Sequence, residues 1–311
     1  MATLLARRGL VLLPALLLAG CNTVVMNPSG DIAAQQGHLI FVSTMLMLLI
    51  IVPVIVLTFW FAWRYRQSQT DAAVPYDPEW DHSTMLELVI WGAPLLIIIA
   101  LGLLTWITTH TLDPYRPLER IDAQHPVSAE VKPLDVEVVA LDWKWLFIYP
   151  EQGVATVNEL VAPVNTPIRF KITASTVMNS FYIPALAGQI YAMPGMETAL
   201  NAVINKEGDY QGFSANYSGA GFSDMRFTFH GVSADGFNQW VQSTKAAGGA
   251  LDRPVYQDLE QPSVNPPVRR FAKVDADLYH AILNRCVAAG SPCMDETMMT
   301  HLNVKPGKSH E

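Results

Sequence analysis

The chain has 311 residues, half of them hydrophobic and only 15% charged, with a formal net charge of −8. A soluble domain rarely combines so much apolar side chain with so little charge, so membrane segments are expected. The acidic balance argues against a role that rests on neutralising nucleic-acid phosphates.

Residues 1–20 read as an export signal. Arg7 and Arg8 form a basic start, Leu10 to Leu18 is an apolar run too short to span a bilayer, and Leu18-Ala19-Gly20-Cys21 resembles a bacterial lipobox. That resemblance implies cleavage before Cys21, with diacylglycerol on its sulfur and an N-acyl chain on its amine. Residues 21–37 would then be a lipidated periplasmic N-terminus. A transmembrane helical hairpin is expected over residues 38–110. Its spans run from Leu39 to Trp63 and from Leu88 to Thr109, with a cytoplasmic loop over 64–87. The first run, at about 1.5 Å per residue, is roughly 37 Å long, enough to cross the hydrocarbon core with some tilt. Pro53 and Pro94 fall inside the runs, as packed membrane helices tolerate, and Trp60, Trp63, Trp91 and Trp106 lie near their ends. No Lys or Arg occurs between Cys21 and Trp63, whereas Arg64 and Arg66 follow the first span at once, which assigns the connecting loop to the cytoplasm and both termini to the periplasm.

After a Pro-rich, charged linker over 111–133, the pattern turns to strands. Asp135 to Ala140 alternates in part; Pro167 to Ile172 and Met225 to His230 alternate cleanly, with turn signals between. Several short strands over residues 134–247 predict a β-sandwich closed by a helix from about Asp235 to Ala247. The C-terminal extension, 248–311, is expected to be loop-like and proline-rich to Pro267. One helix should then start near Asp275 and stop at Gly290, with Leu278 and Ile282 on one face.

Four segments resemble subunit II of the haem–copper oxidases, in its cytochrome bo-type, ubiquinol-oxidising branch. Glu87-Leu88-Val89-Ile90-Trp91-Gly92-Ala93-Pro94 is similar to the start of that subunit's second helix. Asp142-Trp143-Lys144-Trp145, running on to Gly153, is similar to its aromatic segment. Val177 to Pro184 and Asn216 to Met225 are similar to its two copper-ligand segments. The match covers roughly residues 20 to 290 and implies a cupredoxin-like domain. In copper-bearing relatives the first segment supplies a His where Asn179 stands. The second supplies two Cys where Tyr217 and Gly221 stand, a Glu carbonyl at Gly219, and a His and a Met at Met225 and Thr228. A dinuclear copper centre needs thiolates and imidazoles. No Cys lies between Cys21 and Cys286, so a mononuclear blue-copper site lacks its thiolate too. His230 is the one imidazole of the sandwich and reads as a satisfied or surface residue. Met178, Met193, Met196 and Met225 read as core packing rather than a thioether cup.

The resemblance implies a proton-pumping quinol:oxygen oxidoreductase in the bacterial inner membrane. This subunit would carry no haem and no copper. Haems and copper would sit in subunit I, ubiquinol would be the electron donor, and subunits III and IV would complete the complex. It also places Glu87 near a proton-uptake entrance on the cytoplasmic side; an ionisable group at a helix end otherwise reads as merely interfacial. Trp143 and Trp145, two apart, would share one face of a strand and pack against structure or subunit I. Cys286 and Cys293 are compatible with a local disulfide, with two free thiols, or with other partners. A Met/His tail (Met294, Met298, Met299, His301) reads as composition rather than a copper-delivery cluster. Two rival readings are a copper-bearing cytochrome c oxidase subunit and a membrane lipoprotein that binds a partner outside any oxidase.

Overall fold

Two long helices lead the fold. In the computed structural model, which describes residues 23–66, 79–128 and 131–301, α1 runs Asp31–Arg64 and α2 runs Thr84–Thr111. Both apolar spans lie inside them, with Pro53 and Pro94 in the helix interiors. Neither apolar stretch is buried within the chain. Leu49, Phe59, Trp63, Leu88, Trp91, Leu96 and Trp106 are all exposed. Side chains of this kind require lipid or another polypeptide around them. Ser83 caps α2, its hydroxyl accepting from the Leu86 N–H at 3.5 Å, which is why the helix begins ahead of the apolar run. Residues 1–22 lie outside the described region, and the lipidation expected at Cys21 lies there with them.

The chain divides into two compact units, residues 37–113 and the remainder. In the second unit the elements run β1 (Leu134–Leu141), β2 (Lys144–Tyr149), β3 (Val154–Val157), β4 (Glu159–Pro163), β5 (Ile168–Ala174), β6 (Asn179–Tyr182), β7 (Ile190–Ala192), β8 (Thr198–Ala202), β9 (Gly208–Ser214), β10 (Arg226–Val232), α3 (Ala234–Ala246), β11 (Ala250–Leu251), α4 (Arg253–Glu260), β12 (Arg269–Phe271), β13 (Lys273–Val274), α5 (Leu278–Leu283) and α6 (Met294–His301). A six-stranded sheet, in order β12-β3-β2-β1-β5-β8, faces a five-stranded sheet, in order β4-β10-β9-β6-β7. β1 pairs antiparallel with β2 and parallel with β5, the crossover of a Greek-key sandwich.

The sheet is covered on both faces. Val136, Val138 and Ala140 of β1, with Trp145, Phe147 and Tyr149 of β2, fill the sandwich core around Phe170, Phe181 and Phe227. The intervening Val139, Leu141, Leu146 and Ile148 fill a second core against Leu251, Tyr256, Leu259, Leu278 and Ile282 of the C-terminal extension. This double burial explains why β1 alternates only in part: a strand covered on both sides gains apolar contact from every residue. β10, half solvated, keeps its alternation.

The extension differs from the expectation. Instead of one helix from about Asp275 to Gly290, it has three short ones among the described residues, and the first, α4, falls in the stretch expected to be loop. Asp252 caps α4 by accepting from the Val255 N–H at 3.0 Å, with Pro254 in the first turn. α5 stops early, at Leu283, and Arg285 follows with φ 56°. Leu278 and Ile282 do share its buried face. The segment expected as a linker is strapped down in part, since the Nδ2 atoms of Asn201 and Asn205 donate to the carbonyls of Pro114 (3.1 Å) and Ile121 (2.9 Å). The first turn of α1 is held in the same unit. Asp31, 7% exposed, receives Nε of Arg120 at 2.8 Å and Nη2 at 3.0 Å. Gly30 before it passes so close to the backbone that a Cβ would stand 2.7 Å from the carbonyl oxygens of both Leu186 and Val203.

Candidate functional site

The two segments resembling copper-ligand loops come together at one end of the sandwich. Asn179 opens β6 at 1% exposure; its Oδ1 accepts from Ser214 Oγ at 3.0 Å and its Nδ2 donates to the Val177 carbonyl at 3.1 Å. Asn216 Nδ2 donates to the Met178 carbonyl at 3.2 Å, and the backbone N–H of Ala215 donates to the Ser180 carbonyl at 3.0 Å. Asn179, at one ligand position, and Ser214, Ala215 and Asn216, just ahead of the others, thus close the two loops on each other. Tyr217 points outward at 76% exposure, with its ring against Phe222, while Met225 is fully buried in the sandwich core. Thr228 lies in β10, half-buried.

Trp143 finishes the closure. It is not on a strand face with Trp145. Asp142 and Trp143 form the two-residue turn between Leu141 and Lys144, with Trp143 at φ 69°. A bulky residue in the left-handed region is held there only when its surroundings over-determine it. Here the indole donates Nε1–H to the Ser218 carbonyl at 3.1 Å and lies on the backbone at Gly219 and Gly221. A Cβ at Gly219 would stand 3.1 Å from the indole, and one at Gly221 2.5 Å. Trp145 points the other way, fully buried against Phe181 and Phe227.

This donor set does not fit a copper centre. It offers an amide, a phenol, two glycines, a core thioether and a hydroxyl, with no thiolate or imidazole. Among the described residues no three His, Cys, Asp or Glu side chains gather as a metal cluster. His230 is engaged elsewhere, with Nδ1 2.6 Å from Asp209 Oδ1 and Nε2 3.9 Å from Glu159 Oε1. The four methionines do not share one environment. Met225 is core, but Met178 (40%) and Met196 (55%) are exposed, which corrects their reading as core packing. Cys286 and Cys293 are joined by a disulfide, with Cα atoms 4.8 Å apart.

Glu87 sits in the first turn of α2, with its side chain 53% exposed in this chain and Oε1 3.6 Å from His82 Nε2. With Thr84, Leu88, Trp91, Gly92 and Leu95 it lines a shallow groove along one face of the helix.

Two buried charges that the pattern alone does not reveal tie the extension to the sandwich. Glu159, at the start of β4, accepts both Arg270 Nε (2.7 Å) and Nη2 (2.6 Å), and Trp240 Nε1 at 3.2 Å. Burial pushes its carboxyl up, but the hydrogen bonds from Arg270 and Trp240 and the charges of Arg270 and His230 outweigh this and hold it below the usual glutamate range. Lys144, 2% exposed, donates Nζ–H to the carbonyls of Asp142 (3.0 Å) and Gln261 (2.8 Å). Burial lowers its ammonium pKa, against a smaller opposing effect of Asp142.

Fold and site together define a class. Residues 136–232 match the model for the cytochrome c oxidase subunit II periplasmic domain, and residues 245–290, from the end of α3 through much of the extension, match the COX aromatic-rich motif. Full-length relatives narrow this further. The chain is 48% identical over 270 residues to the cytochrome bo(3) ubiquinol oxidase subunit 2 of Pseudomonas putida, covering 87% of this chain and 82% of that one. It is 52% identical over 269 residues to the ubiquinol oxidase subunit 2 of Acetobacter aceti, covering 86% and 84%. It is 49% identical over 280 residues to the cytochrome bo(3) ubiquinol oxidase subunit 2 of Pseudomonas aeruginosa, covering 90% and 81%. The chain belongs to the ubiquinol oxidase subunit 2 family.

Proposed function

We propose that this chain is the second subunit of a haem–copper ubiquinol oxidase of the bacterial inner membrane, with its β-domain in the periplasm, and that it is non-catalytic. The observation that carries the reading is the closed loop at Asn179, Tyr217, Gly219, Gly221, Met225 and Thr228. An amide, a phenol, two glycines under the Trp143 indole, a core thioether and a hydroxyl stand where a copper-bearing subunit would need sulfur and imidazole. With no electron carrier in this chain, electrons from ubiquinol reach subunit I directly. Haem and copper reside there, and dioxygen is reduced to water there with proton translocation.

The chain's own contribution is structural and protonic. The apolar faces of α1 and α2 suit packing on subunit I within the bilayer, in a complex that also contains subunits III and IV. Arg64 and Arg66 after the first span favour a cytoplasmic loop and periplasmic termini. Cys21 carries the diacylglycerol and N-acyl chains that hold the N-terminus at the periplasmic face, since two or more acyl chains anchor firmly. Glu87, at the cytoplasmic end of α2, feeds protons to an uptake path of subunit I.

The test is a comparison of reductants on the purified complex, with metal analysis of the separated subunits. Rapid turnover with ubiquinol, none with reduced cytochrome c, and no stoichiometric copper in this chain are expected. A purple copper absorption band from this subunit, or turnover fed by cytochrome c, would overturn the reading. Neither rival reading gains from the relatives, which are named as ubiquinol oxidase subunits.

A further inference from the structure

The chain leaves the sandwich unit after Gln36 and returns to it at Pro114. The arms on either side of that excursion, residues 29–36 and 114–127, meet just after β8. In the first arm the backbone N–H groups of Ser29 and Gly30 both donate to the Ala185 carbonyl, at 3.0 and 2.8 Å, and that of Ala33 donates to the Leu186 carbonyl at 3.3 Å. Ile32 packs against the sandwich core. In the second arm the Pro114 carbonyl accepts from both the backbone N–H (3.0 Å) and Nδ2 (3.1 Å) of Asn201. Asn205 touches both arms: its backbone N–H donates to the Ser29 carbonyl at 2.9 Å and its Nδ2 to the Ile121 carbonyl at 2.9 Å.

The second arm is shaped to present Arg120. The Val127 N–H donates to the Glu119 carbonyl at 2.9 Å and the Ile121 N–H to the His125 carbonyl at 2.8 Å, so that Arg120 stands opposite Pro126 in a short hairpin. Asp122 closes its tip, with Oδ1 accepting the N–H groups of Gln124 (2.8 Å) and His125 (2.9 Å). From that hairpin the guanidinium reaches Asp31 of the first arm through two parallel bonds, Nε to Oδ2 at 2.8 Å and Nη2 to Oδ1 at 3.0 Å. Gln35 Nε2 adds a third at 2.8 Å. The Asp31 side chain is 6% exposed and that of Arg120 42%. The carboxylate is therefore sunk in the domain, and its cation arrives from the other arm. A buried ion pair adds little net stability over apolar packing, but a buried carboxylate stripped of its cation is costly. Ile32 and Ala33 dock the first arm without any charge; what the charge at Asp31 adds is selection of one position for the second arm.

We propose that Asp31 and Arg120 form a latch that locks the two arms of the membrane hairpin onto the β-domain, so that the chain meets subunit I with both arms already ordered. The partner rests on the reading given above; the latch itself rests on contacts within this chain. Ordering the 114–127 arm only at the moment of association would subtract its conformational entropy from the affinity. With the latch shut, that ordering belongs to the folding of the β-domain instead. Asp31 and Arg120 are thus positioning residues for assembly.

Amide hydrogen exchange of the solubilised full-length chain tests the latch, and co-purification with a haem-bearing subunit tests its use. In Asp31→Asn and in Arg120→Gln, protection of residues 114–127 is expected to fall on the order of tenfold to a hundredfold, the worth of hydrogen bonds to a charged group. That of β9 and β10, in the five-stranded sheet, should stay level. The double variant should lose no more than the larger single loss, because one contact is removed in all three. The share of chain recovered with the haem-bearing subunit should fall in step with protection of the arm. Wild-type protection of 114–127 in either single variant, additive losses, or equal losses in β9 and β10 overturn the latch. Full recovery of the complex from a chain with an unprotected arm overturns its role in assembly. Absence of any haem-bearing partner from the wild type would instead sink the reading of the partner and leave the exchange result standing. Should a single variant fail to fold, Arg120→Lys, which keeps the charge and loses the paired geometry, decides: an arm as protected as in the wild type overturns the latch.

Discussion

The indole of Trp143 lies against the backbone of Gly221 so closely that a Cβ there would stand 2.5 Å from the ring. A turn residue thereby seals a loop that sits 78 positions later in the chain and that resembles a metal-ligand segment of copper-bearing subunits. Gly221→Ala is expected to destabilise the β-domain by about 1–3 kcal/mol, the usual cost of forcing a methyl into a packed site. In Trp143→Ala the obstruction is gone, so the double variant should lose less than the sum of the two single ones. Thermal unfolding of the four proteins, as solubilised full-length chains, measures the coupling; strict additivity would mean the contact carries no energy.

The Arg270–Glu159 pair makes a second prediction. Truncating Arg270 to Ala leaves a carboxylate that is 8% exposed without its main partner. The expected loss is about 3–5 kcal/mol. Glu159→Gln, which removes the charge as well, should cost less. Limited proteolysis between Gln261 and Phe271 reports detachment of the extension.

The same carboxylate gives the domain an acid limit. Glu159 is held below the ordinary glutamate range when folded. Its stabilisation is therefore complete above that range and is lost as pH falls through the lower, folded value. Acid titration of unfolding should show wild type losing stability at low pH more steeply than Glu159→Gln. Parallel curves would remove Glu159 from the account.

Glu87→Ala tests the membrane end. With the side chain half exposed on α2 and, among the described residues, paired to His82, its loss should leave assembly and haem content of the complex unchanged. Ubiquinol-driven oxygen consumption should slow several-fold. Full activity in the purified variant complex removes Glu87 from proton entry.

Cys286 and Cys293 close a short loop directly after α5. Losing the bridge by Cys286→Ser should cost about 2 kcal/mol, on the low side for disulfides because the loop is small. Thiol titration of the denatured wild-type chain should find these two sulfurs only after reduction.

Much of this was legible in the residues. The spans inside α1 and α2 follow from apolar runs whose length a bilayer sets, and β5 and β10 from alternation that survives because one side of each strand meets solvent. The lack of Cys between Cys21 and Cys286 is a property of composition that no fold can repair. Other features were not legible. The turn at Trp143 carries none of the Gly or Asn that usually marks a positive φ, because its conformation is imposed by the loop it covers. α4 was hidden among prolines although Asp252 and Pro254 marked its start. The pairing of Glu159 with Arg270, 111 positions apart, leaves no trace in either local stretch. Periodicity records what a segment does with its own two faces. Which buried charge meets which partner is settled when the extension packs on the outer sheet and removes the water that had served them separately.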